Sequence, residues 1–379
     1  GLDEIAEQRE NRHLPEIAAL LDPRQFELIS RPDAGLVVIQ GGAGSGKTTI
    51  GVHRLAYLAY QDKQRFSPDK MLVVVGSPAL RAYIGEMLPA LGLDGLPIET
   101  YAEWASEQRR KHFPWLDVQL EESTPSVVTR LKTHPVLLQL IEKRAEQYGL
   151  DPRSRKDSHG ALFFWGDVLT NKDALLEAFR AQPDPSFPES DILRAWRWCS
   201  DGCPAVIDLD PGDRHERRAA EDDEAADGID ESRKIGIDNR GVEDDERARL
   251  DAEDDALLLR IYQLIKGGLR KGVKNALVYE HLFVDEAQDL SPVDLAVLLG
   301  CVRQMTDGAD TDLVHRSATL AGDTAQRIHM DAGFTDWNEL LKVLGMSAVE
   351  IEPLRFAYRS TKEVLEVAPG VTQEMWVFN

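Results

Sequence analysis

The sequence predicts an α/β fold: a parallel sheet flanked by helices, built around a glycine-rich loop and interrupted by a mostly helical insertion. Three observations predict it. Four short apolar runs, "GLVVIQ", "MLVVVG", "LFVDE" and "ATLAGD", read as buried strands. The run "GGAGSGKTTI", Gly41 to Ile50, stands between the first of these and a segment of helical apolar spacing. Roughly 240 residues then separate that loop from the acidic pair Asp285 and Glu286, far more than one strand-to-helix connection needs.

The loop comes first because it is the most specific signal. It fits G-x-x-x-x-G-K-[ST], with Gly41, Gly46, Lys47 and Thr48 on the fixed positions. Glycine lets successive N–H groups converge on phosphate oxygens, which Cβ atoms would obstruct. Gly42, Ala43, Gly44, Ser45 and Thr49 complete the expected cradle. Lys47 would reach the β- and γ-phosphates, and the Thr48 hydroxyl would take one Mg²⁺ position. Downstream, Ile50, Leu55, Leu58 and Ala59 have helical spacing. Strand, glycine loop, helix is the order that aims a helix N-terminus at an anion. The expected ligands are therefore ATP and Mg²⁺.

The second half of such a site must hold the metal and activate water. "HLFVDEAQDLSP" offers both. Asp285 and Glu286 follow an apolar run, at the strand end where parallel sheets place their active groups. Asp285 would bind Mg²⁺, and Glu286 would orient and deprotonate the attacking water.

Between the two halves lie "SVVTRLKTHPVLLQLIEKRAEQYG" and "ALLLRIYQLIKGGLRK", with helical apolar spacing and charged outer positions. Pro125, Pro135 and "AQPDPSFPESD" break the helices. The net charge of −22 is concentrated: residues 208–255 hold 20 acidic and 8 basic residues. That segment reads as a flexible loop or solvated helices. Cys199, Cys203 and Cys301 make neither a disulfide framework nor a zinc site, so free thiols are expected. No run approaches the roughly 18 apolar residues of a membrane span, and the expected setting is the cytoplasm, as a monomer.

With these residues on the page, a family resemblance follows. "DEAQD" resembles motif II of the UvrD/Rep/PcrA-type superfamily 1 helicases, and other motifs fall in order around it. "LLDPRQFELI" resembles the Q motif, which implies that Gln25 reads the adenine edge. "TLAGDTAQRI" resembles motif III, which implies that Gln326 senses the γ-phosphate. "LRFAYRST" resembles motif IV, implying that Tyr358 stacks on adenine and Arg359 meets the γ-phosphate. The finer match is to the HelD-like, RNA polymerase-associated branch. Gly76, Ser77 and Pro78 stand where UvrD itself carries a different motif Ia.

The resemblance implies RecA-like P-loop NTPase domain 1A over residues 1–103 and 260–352. It implies insertion subdomain 1B over 104–259, containing the acidic segment 208–255, and the start of domain 2A over 353–379. It implies an ATP-dependent helicase or translocase on single-stranded DNA. The alternative is an ATP-regulated factor that binds and recycles RNA polymerase. Thr100 and Tyr101 stand where motif Ib should lie and are the expected strand contacts. "RRKHFPW" reads either as a phosphate- and base-binding patch or as a helix end with packed aromatics. Motifs V and VI are not recognisable before Asn379, so the expectation is the N-terminal portion of a longer motor, weakly active alone.

Overall fold

The computed structural model describes residues 23–31, 35–42, 44–116, 120–147, 158–207, 249–272, 275–307, 310–325, 334, 336–346 and 351–354. Ala43, Gln326, Tyr358, Arg359 and residues 208–248 of the acidic segment lie outside the described residues.

The chain begins with α1 (Pro23–Ser30), β1 (Leu36–Gly41), α2 (Lys47–Gln61), β2 (Met71–Val75), α3 (Pro78–Met87), β3 (Ile98–Thr100) and α4 (Tyr101–His112). Five helices follow: α5 (Ser126–Thr133), α6 (Pro135–Gln147), α7 (Ser158–Thr170), α8 (Lys172–Ala181) and α9 (Glu189–Ile207). The chain then returns through α10 (Ala252–Lys266), β4 (His281–Val284), α11 (Pro292–Gly300), the β5 (Gln304–Asp307) and β6 (Asp310–Arg316) hairpin, β7 (Ala318–Gly322), α12 (Trp337–Val343) and β8 (Ile351–Leu354).

Six strands form one sheet in the order β3-β2-β4-β7-β1-β8, and every neighbouring pair is parallel. The four strands expected from sequence are the four inner ones. Alternation sorts their side chains onto two faces. Val37, Ile39, Met71, Val73, Phe283 and Ala321 pack with α1, α2 and α3. Val38, Leu72, Val74, Leu282, Val284 and Leu320 face a second core, continuous with the inserted helices.

The limits of the insertion are where sequence and structure part. The expected boundaries at 103/104 and 259/260 fall inside α4 and α10, each one unbroken helix. Helix α10 packs on α4 and α11 near the sheet and on α5, α6 and α7 of the insertion, so it belongs to both. Pro353 and Leu354, expected to open the next domain, instead lie in β8 and pair with Gln40 and Gly41.

The end of the acidic segment needs a correction. Residues 249–255 are described, and Asp251, Asp254 and Asp255 are buried, not solvated. The reason is electrostatic pairing. Lys132, itself buried, places Nζ 2.7 Å from both Asp251 and Asp254. Arg109 Nε lies 2.6 Å from Asp255, and Trp165 donates to Asp254 Oδ1 at 2.9 Å. Burial opposes the Lys132 charge, but Asp254 and Asp251 hold it protonated above the ordinary lysine range. Burial, with the Asp251 charge beside it, pushes Asp254 up to about 7. The same pairing decides "RRKHFPW": Arg109 is bound to Asp255 and to the Leu116 carbonyl, and Phe113 is buried. This stretch closes α4 and carries no open phosphate patch at those residues.

Removing one partner of a buried ion pair leaves the other charge uncompensated. Lys132→Met should therefore destabilise the chain by about 3–5 kcal/mol in urea unfolding at pH 7. Adding Asp251→Asn and Asp254→Asn should recover part of that loss; a single variant as stable as the parent would contradict this account.

Candidate active site

The site is assembled at the C-terminal edge of the sheet. Pairing of Gln40 with Gly322 and of Val284 with Leu320 brings the ends of β1, β4 and β7 to one level. The segments that follow these three strands therefore converge.

After β1 the backbone turns through Gly44 (φ 74°) and Gly46 (φ 89°), conformations that L side chains rarely adopt. Gly46 caps α2 with no side-chain hydrogen bond, which leaves the first N–H groups of α2 without a capping acceptor from it. Ser45 Oγ is buried with no hydrogen-bond partner among the described residues. Lys47 is 7% exposed, and its ammonium donates to the carbonyls of Gly41 (2.7 Å) and Gly42 (3.3 Å). A glycine turn at a helix N-terminus, with a lysine and a serine hydroxyl beside it, has the chemistry that an anion needs.

The acidic pair lies against this turn. The Asp285 N–H donates to the Val74 carbonyl at 2.9 Å, which fixes its backbone to β2. Its Oδ2 accepts from Thr48 Oγ1 at 2.5 Å, across 237 positions of sequence. Asp285 is 2% exposed, and burial pushes its carboxyl up to about 6, helped by the Glu286 charge and opposed by the Thr48 hydrogen bond. One hydroxyl and one carboxylate, adjacent and hard, suit Mg²⁺, and the loop donors suit a polyphosphate. The residues present thus fit both groups.

Other expected residues are placed as follows. Gln25 on α1 is buried, with Nε2 3.8 Å from where a Cβ on Gly46 would stand. Thr49 lies in the first turn of α2, one residue beyond Thr48. Thr100 caps α4 through a capping box with Glu103, and the Tyr101 hydroxyl is turned toward Asp294. Both line a cavity of about 810 Å³ between the sheet edge and the insertion, whose wall includes Glu253, Asp255, Asp285, Glu286, Asp289 and Asp294. Ala43, Gln326, Tyr358 and Arg359 lie outside the described residues.

Two residues near the site have roles that no local sequence pattern announces. Arg54, fully buried on α2, donates to the carbonyls of Leu28, Ile29 and Arg31 and so clamps the end of α1 to the loop helix. An arginine among apolar helix positions was the available signal. Gln288 bridges Glu286 and Asp323. Its signal was only its place in "DEAQD".

A carboxyl whose pKa is higher folded than unfolded loses stability as pH rises between those values. For Asp285 that window runs from about 4 to about 6. In Mg²⁺-free buffer, Asp285→Asn should be more stable than the parent at pH 7.5 by on the order of 1–3 kcal/mol, the difference shrinking toward pH 4. Parallel urea-unfolding curves at both pH values would contradict this.

Comparison with the curated proteins found no match. A family model does match: the UvrD/REP helicase N-terminal domain, over residues 21–330. UvrD-type helicases use ATP with Mg²⁺, and among the described residues no helix is long and apolar enough to cross a membrane. With most of its length under that model, and with loop and acidic pair meeting at one sheet edge, the chain belongs to the UvrD/REP helicase family.

Proposed function

We propose that this chain carries the ATP site of a superfamily 1 translocase that moves on single-stranded DNA, coupling hydrolysis to strand movement. The observation that supports the reading most is the contact between Thr48 and Asp285, because it joins the loop to the acidic pair. When bound, ATP with Mg²⁺ supplies an activated γ-phosphoryl group. Lys47 holds the β- and γ-phosphates once its ammonium leaves the loop carbonyls. Thr48 and Asp285 hold the metal. Glu286 orients a water and accepts its proton. Gln25 reads the adenine edge, with Gln326 and Arg359 as γ-phosphate contacts and Tyr358 as the base-stacking ring. Thr100 and Tyr101 are proposed on the strand side.

One observation favours a second reading. The cavity beside Thr100 and Tyr101 is lined by six carboxylates and one cation, Lys132, and residues 208–248 add a formal −9. A phosphate backbone is repelled by such a wall, whereas a basic protein surface is attracted. This favours an RNA polymerase-binding remodelling or recycling factor of HelD type. Binding of the chain to polymerase that is lost on deleting residues 208–248, with no affinity for single-stranded DNA, would select the second reading.

For the shared ATP site, Glu286→Gln should keep nucleotide affinity and lower turnover by about 10²–10⁴-fold, the usual worth of a positioned general base. Turnover equal to the parent's would remove Glu286 from this role.

A further inference from the structure

Glu286 does not stand alone. It is the one non-glycine at positive φ among the described residues (φ 53°), a backbone state that persists only where surroundings hold it. What holds its side chain is Gln288, 2% exposed in the short 3₁₀ turn Ala287–Asp289. Gln288 Nε2 donates to Glu286 Oε2 at 2.7 Å, and Gln288 Oε1 accepts from the Asp323 N–H at 2.9 Å. The amide orientation is dictated, not chosen: a backbone N–H can only donate, so the oxygen must face Asp323 and the NH₂ must face the carboxylate. The neighbouring backbone is shaped for this bridge. A Cβ on Gly322 would stand 2.5 Å from Gln288 Oε1 and 3.1 Å from Trp337, so only glycine lets β7 end this close. Beyond it, Asp323 Oδ1 accepts from the Ala325 N–H at 3.0 Å and turns the chain.

We infer that Gln288 is a positioning residue that fixes the Glu286 carboxylate and ties it to the segment leaving β7. The inference rests on the role of Glu286 proposed above. A glutamate with free side-chain torsions spends little time aimed at one water, whereas an amide that pins one oxygen leaves the other directed. A neutral donor does this without drawing away the negative charge a base needs. The second bond makes the link two-ended: a shift of the backbone at Asp323 moves Gln288 and hence Glu286. The residue carrying the base is thereby coupled to the segment that leads toward residue 326.

The test uses the whole chain with Gln288→Met and Gln288→Glu, reading single-turnover kcat separately from nucleotide affinity. Gln288→Met should lower kcat at least about tenfold with affinity within about twofold of the parent. Gln288→Glu keeps length and can still accept from Asp323, but sets a second carboxylate against Glu286, so it should be slower still. A role confined to packing gives the opposite order, and Gln288→Glu faster than Gln288→Met would overturn the proposal, as would a Gln288→Met kcat equal to the parent's. In a Glu286→Gln background, Gln288→Met should leave the residual rate unchanged. If Glu286→Gln itself turns over normally, the reading of Glu286 fails; if it is inactive while Gln288→Met is normal, only this inference fails. Hydrogen exchange gives a readout independent of turnover and of the Gln288 variants' folding. Glu286→Ala should speed exchange in the peptide 318–325, and unchanged exchange would contradict the tie.

Discussion

One hydrogen bond, from the Thr48 hydroxyl to the Asp285 carboxylate, closes the site. The first belongs to the helix after β1 and the second to the end of β4, and β7 lies between those strands. Only because all three run parallel do their C-terminal ends share one edge. The helical insertion can then be long without disturbing the site, because it leaves the sheet after α4 and returns through α10 while the inner strands keep their order. Helix α10 is the seam, apolar toward both sides and anchored at its start by buried ion pairs.

Buried acid is handled in two ways in this molecule. In the insertion, Asp251, Asp254 and Asp255 meet Lys132 and Arg109, two cations for three carboxylates, and burial still pushes Asp254 up to about 7 and Asp255 up to about 6. At the sheet edge, Asp285 meets a neutral hydroxyl and a second carboxylate, while Lys47 is turned to the loop carbonyls. Charge left uncompensated there costs stability, and a divalent cation would repay it. The difference lies in the partners: ammonium and guanidinium groups in the insertion, a hydroxyl beside a loop of donors at the sheet edge.

What the sequence disclosed follows the same physics. β1, β2, β4 and β7 were legible because strands buried on both faces must be apolar throughout. β3 and β8 lie at the edges, where "IET" and "IEPL" carry a charge and a proline that hide the pattern. The loop and acidic pair were legible because their chemistry restricts residue type at fixed spacing. Lys132, Arg54 and Gln288 were not, since each draws its meaning from partners remote in sequence or from a backbone turn that no local pattern announces. The tail of the acidic segment misled for that reason: its composition resembles solvent-exposed chain, and only the cations on α4 and α5 explain its burial.

The central claim is that one metal–triphosphate site spans the loop and the acidic pair. A double-mutant cycle on Mg²⁺-dependent ATP affinity, measured by calorimetry for the parent, Thr48→Ala, Asp285→Asn and the double variant, tests it most directly. If both side chains serve one metal, the second change should cost far less after the first, with a coupling of about 1 kcal/mol or more. Additive losses, or Mg²⁺ dependence unaltered by either change, would contradict it.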